Sequence, residues 1–371
     1  MSRSFSQKIL ISTNSSCNLK CIYCFEKNKS NYTFDVSKAI SIIEKLLSSK
    51  SELGTKIKIH GGEPFLVFNK LKQLCECLWA KNYPEYYEFH ITTNGTLIHG
   101  KIQDWLRNNK EKIRLKLSID GDKLSNDINR PCSFEKIDFP FLVRTYPNIV
   151  ASMTITPQTL RYFFENIKFL HRSGFKNIVF QFSLMTNWSK CDLQKIFYQQ
   201  MSLLIDYYIK NPNITPCFSW IKIEKTLNVF AKPLCGIGHM KAFDFQSNQF
   251  YPCQMCFPSV CGDTLSSKLQ KIDFTSPDIL ADGPCRNCSF VNLCTTCYAE
   301  NYITRGSASN RDLSICSYQE ILYASIFRYE YERILKIENP TSSDIRKMTA
   351  IQKHYKKVES ILSNIKVISK G

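Results

Sequence analysis

The sequence predicts an α/β fold: a partial (β/α)6 barrel, then a small cysteine-rich domain, then C-terminal helices. Strand-like and helix-like segments alternate six times from the N-terminus, which implies a parallel sheet. Cysteines crowd between positions 235 and 316. Two long helical patterns close the chain. The domains read as 1–232, 233–320 and 321–371, the last packed on the core.

Each element follows from its residues. Lys8 to Thr13 is a short β-rich run leading into a cysteine loop. Val36 to Leu47 places Ile40, Ile43 and Leu47 at helical intervals. Lys56 to His60 alternates as a strand and enters Gly61-Gly62-Glu63-Pro64. Leu71 to Trp79 is helical, and Tyr86 to Thr92 runs into Thr93-Asn94-Gly95-Thr96. Ile113 to Ile119 alternates with a period of two and ends in Asp120-Gly121. Ile149 to Ile155, a helix to about His171, and Ile178 to Leu184 complete the set. In such barrels the chemistry belongs on the loops after the strands. The stretch from the 190s to Phe230 reads as two helices about Asn211-Pro212-Asn213, with a domain boundary near Lys232-Pro233. Tyr318 to Ile337 and Ser343 to Ile368 read as the closing helices. In the last, Ile351, Tyr355, Val358, Leu362 and Ile365 share one stripe opposite lysines, the pattern of a helix packed on its domain.

At 371 residues the chain can hold roughly two domains. An apolar content of 43% excludes a disordered or fibrous chain. No window approaches the roughly 18 apolar residues of a membrane span, and the N-terminal apolar run is too short for a signal peptide. A cytoplasmic protein with no membrane partner is expected. Disulfides are rare there, so 17 cysteines point to metal. The six histidines form no His-Glu-x-x-His, and the phosphate-loop and nucleophile-elbow motifs are absent, which weakens zinc hydrolase, kinase and serine hydrolase readings.

The first cysteine group is Cys17-Asn-Leu-Lys-Cys21-Ile-Tyr-Cys24, without a fourth member nearby. Three thiolates so spaced can hold three corners of a [4Fe–4S] cluster and leave one iron open. A structural zinc site would close with four ligands. This Cys-x3-Cys-x2-Cys run, followed by Phe25, resembles the signature of radical S-adenosylmethionine (radical SAM) enzymes. The resemblance implies that the open iron chelates S-adenosylmethionine and that the reduced cluster cleaves it to a 5′-deoxyadenosyl radical.

The second group holds Cys235, Cys253, Cys256, Cys261, Cys285, Cys288, Cys294, Cys297 and Cys316. It resembles the SPASM extension of radical SAM enzymes, which carries two auxiliary [4Fe–4S] clusters. By that resemblance Cys285, Cys288, Cys294 and Cys316 bind the outer cluster, and Cys235, Cys253 and Cys297 the inner one. Cys256 and Cys261 compete for its fourth corner. Two departures stand out: Asn248 replaces the usual glycine, and Cys294 to Cys297 is one residue short. Asn tolerates φ > 0, so the turn can survive. A zinc ribbon of Cys285, Cys288, Cys294 and Cys297 is the alternative. Cys75, Cys77, Cys132, Cys191 and Cys217 read as structural thiols, commonly small buried apolar residues.

The resemblance extends to the strand-end loops. Gly61-Gly62-Glu63-Pro64 is similar to the family's amino-binding motif for S-adenosylmethionine. Ser118, with Asn94 and Asp120, falls where ribose and carboxylate contacts are expected. Arg130 matches an arginine that pairs with the cofactor carboxylate, and Tyr23 an aromatic lying along adenine.

SPASM proteins commonly modify peptides or proteins. The resemblance therefore implies an oxidoreductase-type maturase giving a cross-link or side-chain oxidation in a ribosomally made peptide. The Cys-Asn-Leu-Lys-Cys core and the tail Ile315-Cys316-Ser-Tyr-Gln-Glu320 are similar to the anaerobic sulfatase-maturating branch, which oxidises Cys or Ser to formylglycine. That branch carries an aspartate base where this chain has Gln254, and amide cannot accept the proton; Asp263 is the nearest substitute. The net charge of +17 suits an acidic precursor peptide. RNA is disfavoured because the basic residues form no aromatic-interleaved cluster. A non-enzymatic iron–sulfur or zinc adaptor would not need the Gly-Gly-Glu-Pro and Thr-Asn-Gly loops. A one-electron donor such as flavodoxin or ferredoxin completes the expected partners.

Overall fold

The computed structural model describes residues 5–189, 191–228, 234–281 and 283–370. The alternation expected from sequence is present: β1 (Gln7–Ser12), α1 (Val36–Leu47), β2 (Thr55–His60), α2 (Phe68–Trp79), β3 (Tyr87–Thr93), α3 (Lys101–Asn108), β4 (Ile113–Ser118), α4 (Lys123–Asn129), α5 (Phe139–Thr145), β5 (Val150–Ile155), α6 (Phe163–Arg172) and β6 (Asn177–Phe182). These strands pair in parallel in the order β6-β5-β4-β3-β2-β1. Beyond β1 the sheet continues into β7 (Lys241–Asp244), parallel to β1, and β8 (Gln249–Tyr251), antiparallel to β7. The barrel is therefore open. The boundary expected at Lys232-Pro233 lies outside the described residues, but the β7–β8 hairpin beyond it joins the same sheet.

Period-two alternation divides the sheet faces. Ile9, Ile11, Ile57, Ile59, Phe89, Ile91, Leu115 and Leu117 are buried in the core shared with the helices. The residues between them, polar and often cationic, face the lumen. Leu10 is the apolar exception on β1, and it joins a second core with Met240, Ala242, Tyr251, Phe257 and Tyr298 of the cysteine-rich segment. Asn248 sits in the β7–β8 turn at φ 59°, the left-handed conformation expected of it. Among the described residues, no helix is long and apolar enough to cross a membrane.

Some expectations are corrected. After α7 (Cys191–Lys210), among the described residues up to 228, only a short 3-10 turn, Ile223–Leu227, forms, because Pro212 and Pro216 interrupt the helical pattern. The closing helices run over Leu313–Ile334 and Ser342–Lys370, so Cys316 lies in the first turn of a helix rather than before it. In the last helix Ile351 is buried but Tyr355 is 57% exposed. The buried line runs instead through Ala350, Ile351, His354 and Ile361, with Val358 and Leu362 packed beside it. The side chain of Ile365 lies outside the described residues. Cys75 and Cys217 are buried as expected, whereas Cys132 is exposed, at φ 55°.

Candidate active site

The loop after β1 carries the first three cysteines, and the neighbouring strand ends hold it in place. The Gly62 N–H donates to the Asn14 carbonyl at 2.9 Å, and the Glu63 N–H to the Ser16 carbonyl at 2.9 Å. Asn14 Nδ2 reaches the carbonyls of Ser16 and Glu63. A Cβ on Gly62 would lie 2.0 Å from the Ser16 carbonyl oxygen, so only glycine permits this approach. The glycine loop thus braces the cysteine loop through its Gly62 and Glu63 N–H groups and the Glu63 carbonyl.

Cys17, Cys21 and Cys24 line one cavity that opens to solvent. It shares this wall with Tyr23, Phe25, Gly61, Gly62, Glu63, Thr92, Thr93, Asn94, Ser118 and Arg130. Burial raises the pKa of all three thiols; Lys29 opposes this at Cys17 and Cys24, and Arg130 at Cys21. Arg130 Nη1 lies 3.9 Å from Cys21 Sγ, and Asn94 Nδ2 3.9 Å from Cys17 Sγ. Among the described residues, no three His, Cys, Asp or Glu side chains could hold a single metal ion. Three thiols spread around an open cavity, beside two cations, fit a polynuclear cluster with one uncovered corner.

The remaining sequence-predicted residues divide between the cavity and its supports. Asn94 links loops, donating to Asn18 Oδ1 at 2.9 Å and accepting from the Thr96 N–H at 3.0 Å. Glu63 is fully buried, and its carboxylate accepts from Thr93 Oγ1, the Asn94 N–H and the Phe65 N–H. Burial pushes it up to about 7 against those hydrogen bonds. Asp120 lies behind the cavity wall: Oδ2 accepts from Tyr23 Oη at 2.7 Å and Arg130 Nε at 3.0 Å, and Oδ1 from the Thr154 N–H at 2.8 Å. The Arg130 guanidinium is 5.3 Å from the Tyr23 ring centre. Arg130 is therefore a buried, oriented cation with guanidinium nitrogens left to face the cavity, not a surface arginine before a proline. Asp263 is exposed at the start of a helix and does not line the cavity.

Sequence reading missed Leu19, Glu26, Lys29, His60, Thr154, Gln181 and Leu184, which complete the lining. Position supplies the signal: His60, Thr154 and Gln181 end or nearly end strands and point to the lumen. Glu26 is pushed up to about 7 by burial, and its carboxylate lies 3.9 Å from His60 Nδ1. Burial, then Lys58 and Lys116, push His60 down to about 4, so it is neutral at pH 7.

In the cysteine-rich segment the cysteines form two neighbourhoods. Cys316 is pushed up to about 12 by burial and then by Cys294, Cys285 and Cys288. Cys297 is raised by burial and then by Cys253, and feels Cys235 as well. Cys256 is buried with Sγ 3.7 Å from Cys253 Sγ, and the Cys261 thiol donates to the Phe257 carbonyl. Cys297 thus keeps company with Cys235 and Cys253, against a ribbon made with Cys285, Cys288 and Cys294. Arg311, unforeseen from sequence, is buried beside Cys294, Cys285 and Cys288 and lies 5.7 Å from the Tyr298 ring centre.

A sequence model of the Radical SAM superfamily matches residues 11–197. An uncharacterized protein of Methanocaldococcus jannaschii is 32% identical over 181 residues, 46% of this chain. The chain spans 61% of that relative's length. The cysteine-type anaerobic sulfatase-maturating enzyme of Clostridium perfringens is 22% identical over 368 residues, 88% of this chain and 96% of that one. Among solved structures, native anSMEcpe with bound AdoMet and Cp18Cys peptide superposes at a TM-score of 0.66 and 20% identity, covering 89% of this chain and 99% of its own. Streptococcus suis SuiB bound to precursor peptide SuiA gives 0.56 and 17%, over 84% and 76%. These two likenesses establish a shared fold.

Proposed function

We propose that the chain, which belongs to the Radical SAM superfamily, is a SPASM-type maturase that modifies a peptide or protein by hydrogen abstraction. One observation carries the reading: Cys17, Cys21 and Cys24 share a cavity with the Gly61-Gly62 backbone, Ser118 and Arg130. The peptide substrate is supported by the fold shared with anSMEcpe and SuiB, both solved with a peptide.

When bound and reduced by a flavodoxin or ferredoxin, a [4Fe–4S] cluster with S-adenosylmethionine supplies a 5′-deoxyadenosyl radical at this cavity. The three thiolates would hold the cluster, their charged form favoured by Lys29 and Arg130. The Gly61 and Gly62 backbone would bind the methionyl ammonium, and Arg130, held by Asp120, its carboxylate. Tyr23 would serve adenine and Ser118 would supply a polar contact, while Asn94 and Glu63 position the loops. Oxidation of the substrate also releases an electron and a proton. Cys235, Cys253, Cys297 and either Cys256 or Cys261 would hold an inner auxiliary cluster, and Cys285, Cys288, Cys294 and Cys316 an outer one; the chemistry such clusters would supply is one-electron acceptance. The proton goes to Glu26, whose carboxylate lines the cavity and is raised by burial to about 7.

Cross-linking or side-chain oxidation is the preferred outcome, because Gln254 follows Cys253 and Asp263 is remote from the cavity. Oxidation of Cys or Ser to formylglycine is the second reading, favoured by the 96% coverage of the sulfatase-maturating relative. We place the protein in the cytoplasm. The test is anaerobic turnover with any small precursor peptide found encoded beside the gene, with a cysteine-bearing sulfatase peptide and with RNA. Loss of two hydrogens from the first supports the preferred reading, and an aldehyde in the second supports the other. Modification of RNA alone would overturn both.

A further inference from the structure

The loop that carries Cys17, Cys21 and Cys24 has two faces, and the cavity uses only one. From position 17 to 23 the chain alternates between them. Cys17, Leu19, Cys21 and Tyr23 line the cavity, whereas Asn18, Lys20 and Ile22 are exposed. Cys21 to Cys24 closes as a turn, with the Cys24 N–H donating to the Cys21 carbonyl at 3.1 Å, and Ile22 stands at its outer corner. The wall here is a single chain thick. Lys20 and Ile22 are the immediate neighbours of Cys21, with solvent on their far side.

Asn18 is accounted for, because it bonds Thr96 and Asn94. Ile22, Lys20 and Lys27 are not. Ile22 is 52% exposed, although its own N–H is fixed on the Asn129 carbonyl at 3.0 Å, so a held apolar side chain faces water. Pro131 and Cys132, which follow Arg130, are exposed beside it. Lys20 and Lys27 are exposed as well, and among the described residues no acid pairs with either. The nearby acids are engaged elsewhere: Asp127 and Glu135 each meet Lys123 at 3.2 Å, and Glu26 lines the cavity. A lone surface isoleucine carries little meaning. A fixed one between unpaired lysines has the composition of a small docking patch, with an apolar centre and a charged rim.

The chemistry of the loop selects the occupant. The cavity side has to admit both S-adenosylmethionine and substrate, yet one electron must still reach the cluster for each cleavage. A carrier seated on the outer face approaches Cys21 without displacing either molecule. The patch is cationic and the chain carries +17, so the carrier that fits is acidic. We propose that Lys20, Ile22 and Lys27 dock a small acidic one-electron carrier protein of the flavodoxin class on the outer face of the cysteine loop. This rests on the radical reading and gives the electron its point of entry. In the step the carrier's flavin hydroquinone is oxidised by one electron, the cluster that Cys17, Cys21 and Cys24 would hold is reduced by one, and no bond or proton changes hands.

Contact and electron transfer are measured separately on the anaerobically reconstituted protein, with a purified acidic flavodoxin as the probe. Carbodiimide cross-links are mapped by mass spectrometry, flavin oxidation is followed by stopped-flow absorbance, and 5′-deoxyadenosine is measured with dithionite in place of the carrier. Cross-links should join Lys20 or Lys27 to flavodoxin carboxylates. Lys20→Glu with Lys27→Glu should slow flavin oxidation about tenfold at low salt and only about twofold near ~0.5 M salt. Ile22→Ser should slow it about threefold at both. Lys45→Glu with Lys72→Glu, exposed on α1 and α2, makes the same charge change elsewhere and should keep the wild-type rate. With dithionite all variants should match wild type, because a small reductant needs no docking. Unchanged flavin oxidation after Lys20→Glu with Lys27→Glu, equal slowing in the α1–α2 control, or cross-links confined to other lysines overturns the proposal. Equal slowing with dithionite also overturns it, by assigning these residues to the cluster loop itself. No 5′-deoxyadenosine from wild type with dithionite removes the radical reading instead, and the cross-links then still decide whether the carrier docks here.

Discussion

Gly62 has no room for a side chain, and this single fact couples two loops of the cavity. A methyl group there would meet the Ser16 carbonyl, which accepts hydrogen bonds from the Glu63 N–H and Asn14 Nδ2. Gly62→Ala should therefore push the Cys17 loop outward, lowering both the iron bound at the first site and the melting temperature. Iron assay and thermal denaturation of reconstituted protein check this, and unchanged iron content would contradict it. Gly61-Gly62-Glu63 was legible in the sequence because its residue types and its place after a strand both point to a close backbone approach. The partners of Asp120 were not legible. That carboxylate sits 97 positions from Tyr23 in sequence and meets it only because β4 places it behind the cysteine loop. His60 was likewise hidden in an alternating strand that reads the same whether its polar face meets bulk solvent or lines a cavity.

At the scale of elements, the strands were the most readable part, because a period of two survives even where one face is cationic. Helices after β6 were less so. Pro212 and Pro216 broke a segment whose composition is otherwise helical, and the stripe on the last helix was displaced because Tyr355 points to water while His354 turns inward. That helix starts from a reciprocal cap: Thr341 Oγ1 and N–H donate to Asp344 Oδ2, and the Asp344 N–H donates to Thr341 Oγ1 at 3.2 Å. Arg333 holds the other carboxylate oxygen. Against burial, which would raise it, the Thr341 and Arg333 contacts bring the Asp344 carboxyl down to about 2. A depressed carboxyl stabilises the fold above its unfolded pKa and loses that contribution as pH falls through the folded value. Asp344→Asn should cost about 1 kcal/mol at neutral pH and flatten the stability profile between about pH 4 and 2, as read by denaturant unfolding. A wild-type profile already flat over that range would count against the cap.

The whole molecule joins two cores through one sheet. β1 is central to this, with Ile9 and Ile11 in the barrel core and Leu10 in the core of the cysteine-rich segment. Lys58 extends the link, since it senses Cys235 and Cys253 across the lumen. The two cysteine neighbourhoods were sorted only by resemblance to a family, because spacing alone leaves Cys316 and Cys297 both open as company for Cys294 and tertiary packing decides between them. With three clusters, reconstituted protein should hold about twelve irons, and the Cys17→Ala, Cys21→Ala, Cys24→Ala variant about eight. A wild-type content near four would remove the auxiliary clusters while leaving the first site intact. The central claim is the radical chemistry of the Cys17, Cys21 and Cys24 cavity. It is tested most directly by incubating the reconstituted protein with dithionite and S-adenosylmethionine and measuring 5′-deoxyadenosine. The account predicts its formation by the wild type and none by the triple alanine variant; no 5′-deoxyadenosine from wild type with an intact first cluster would contradict it.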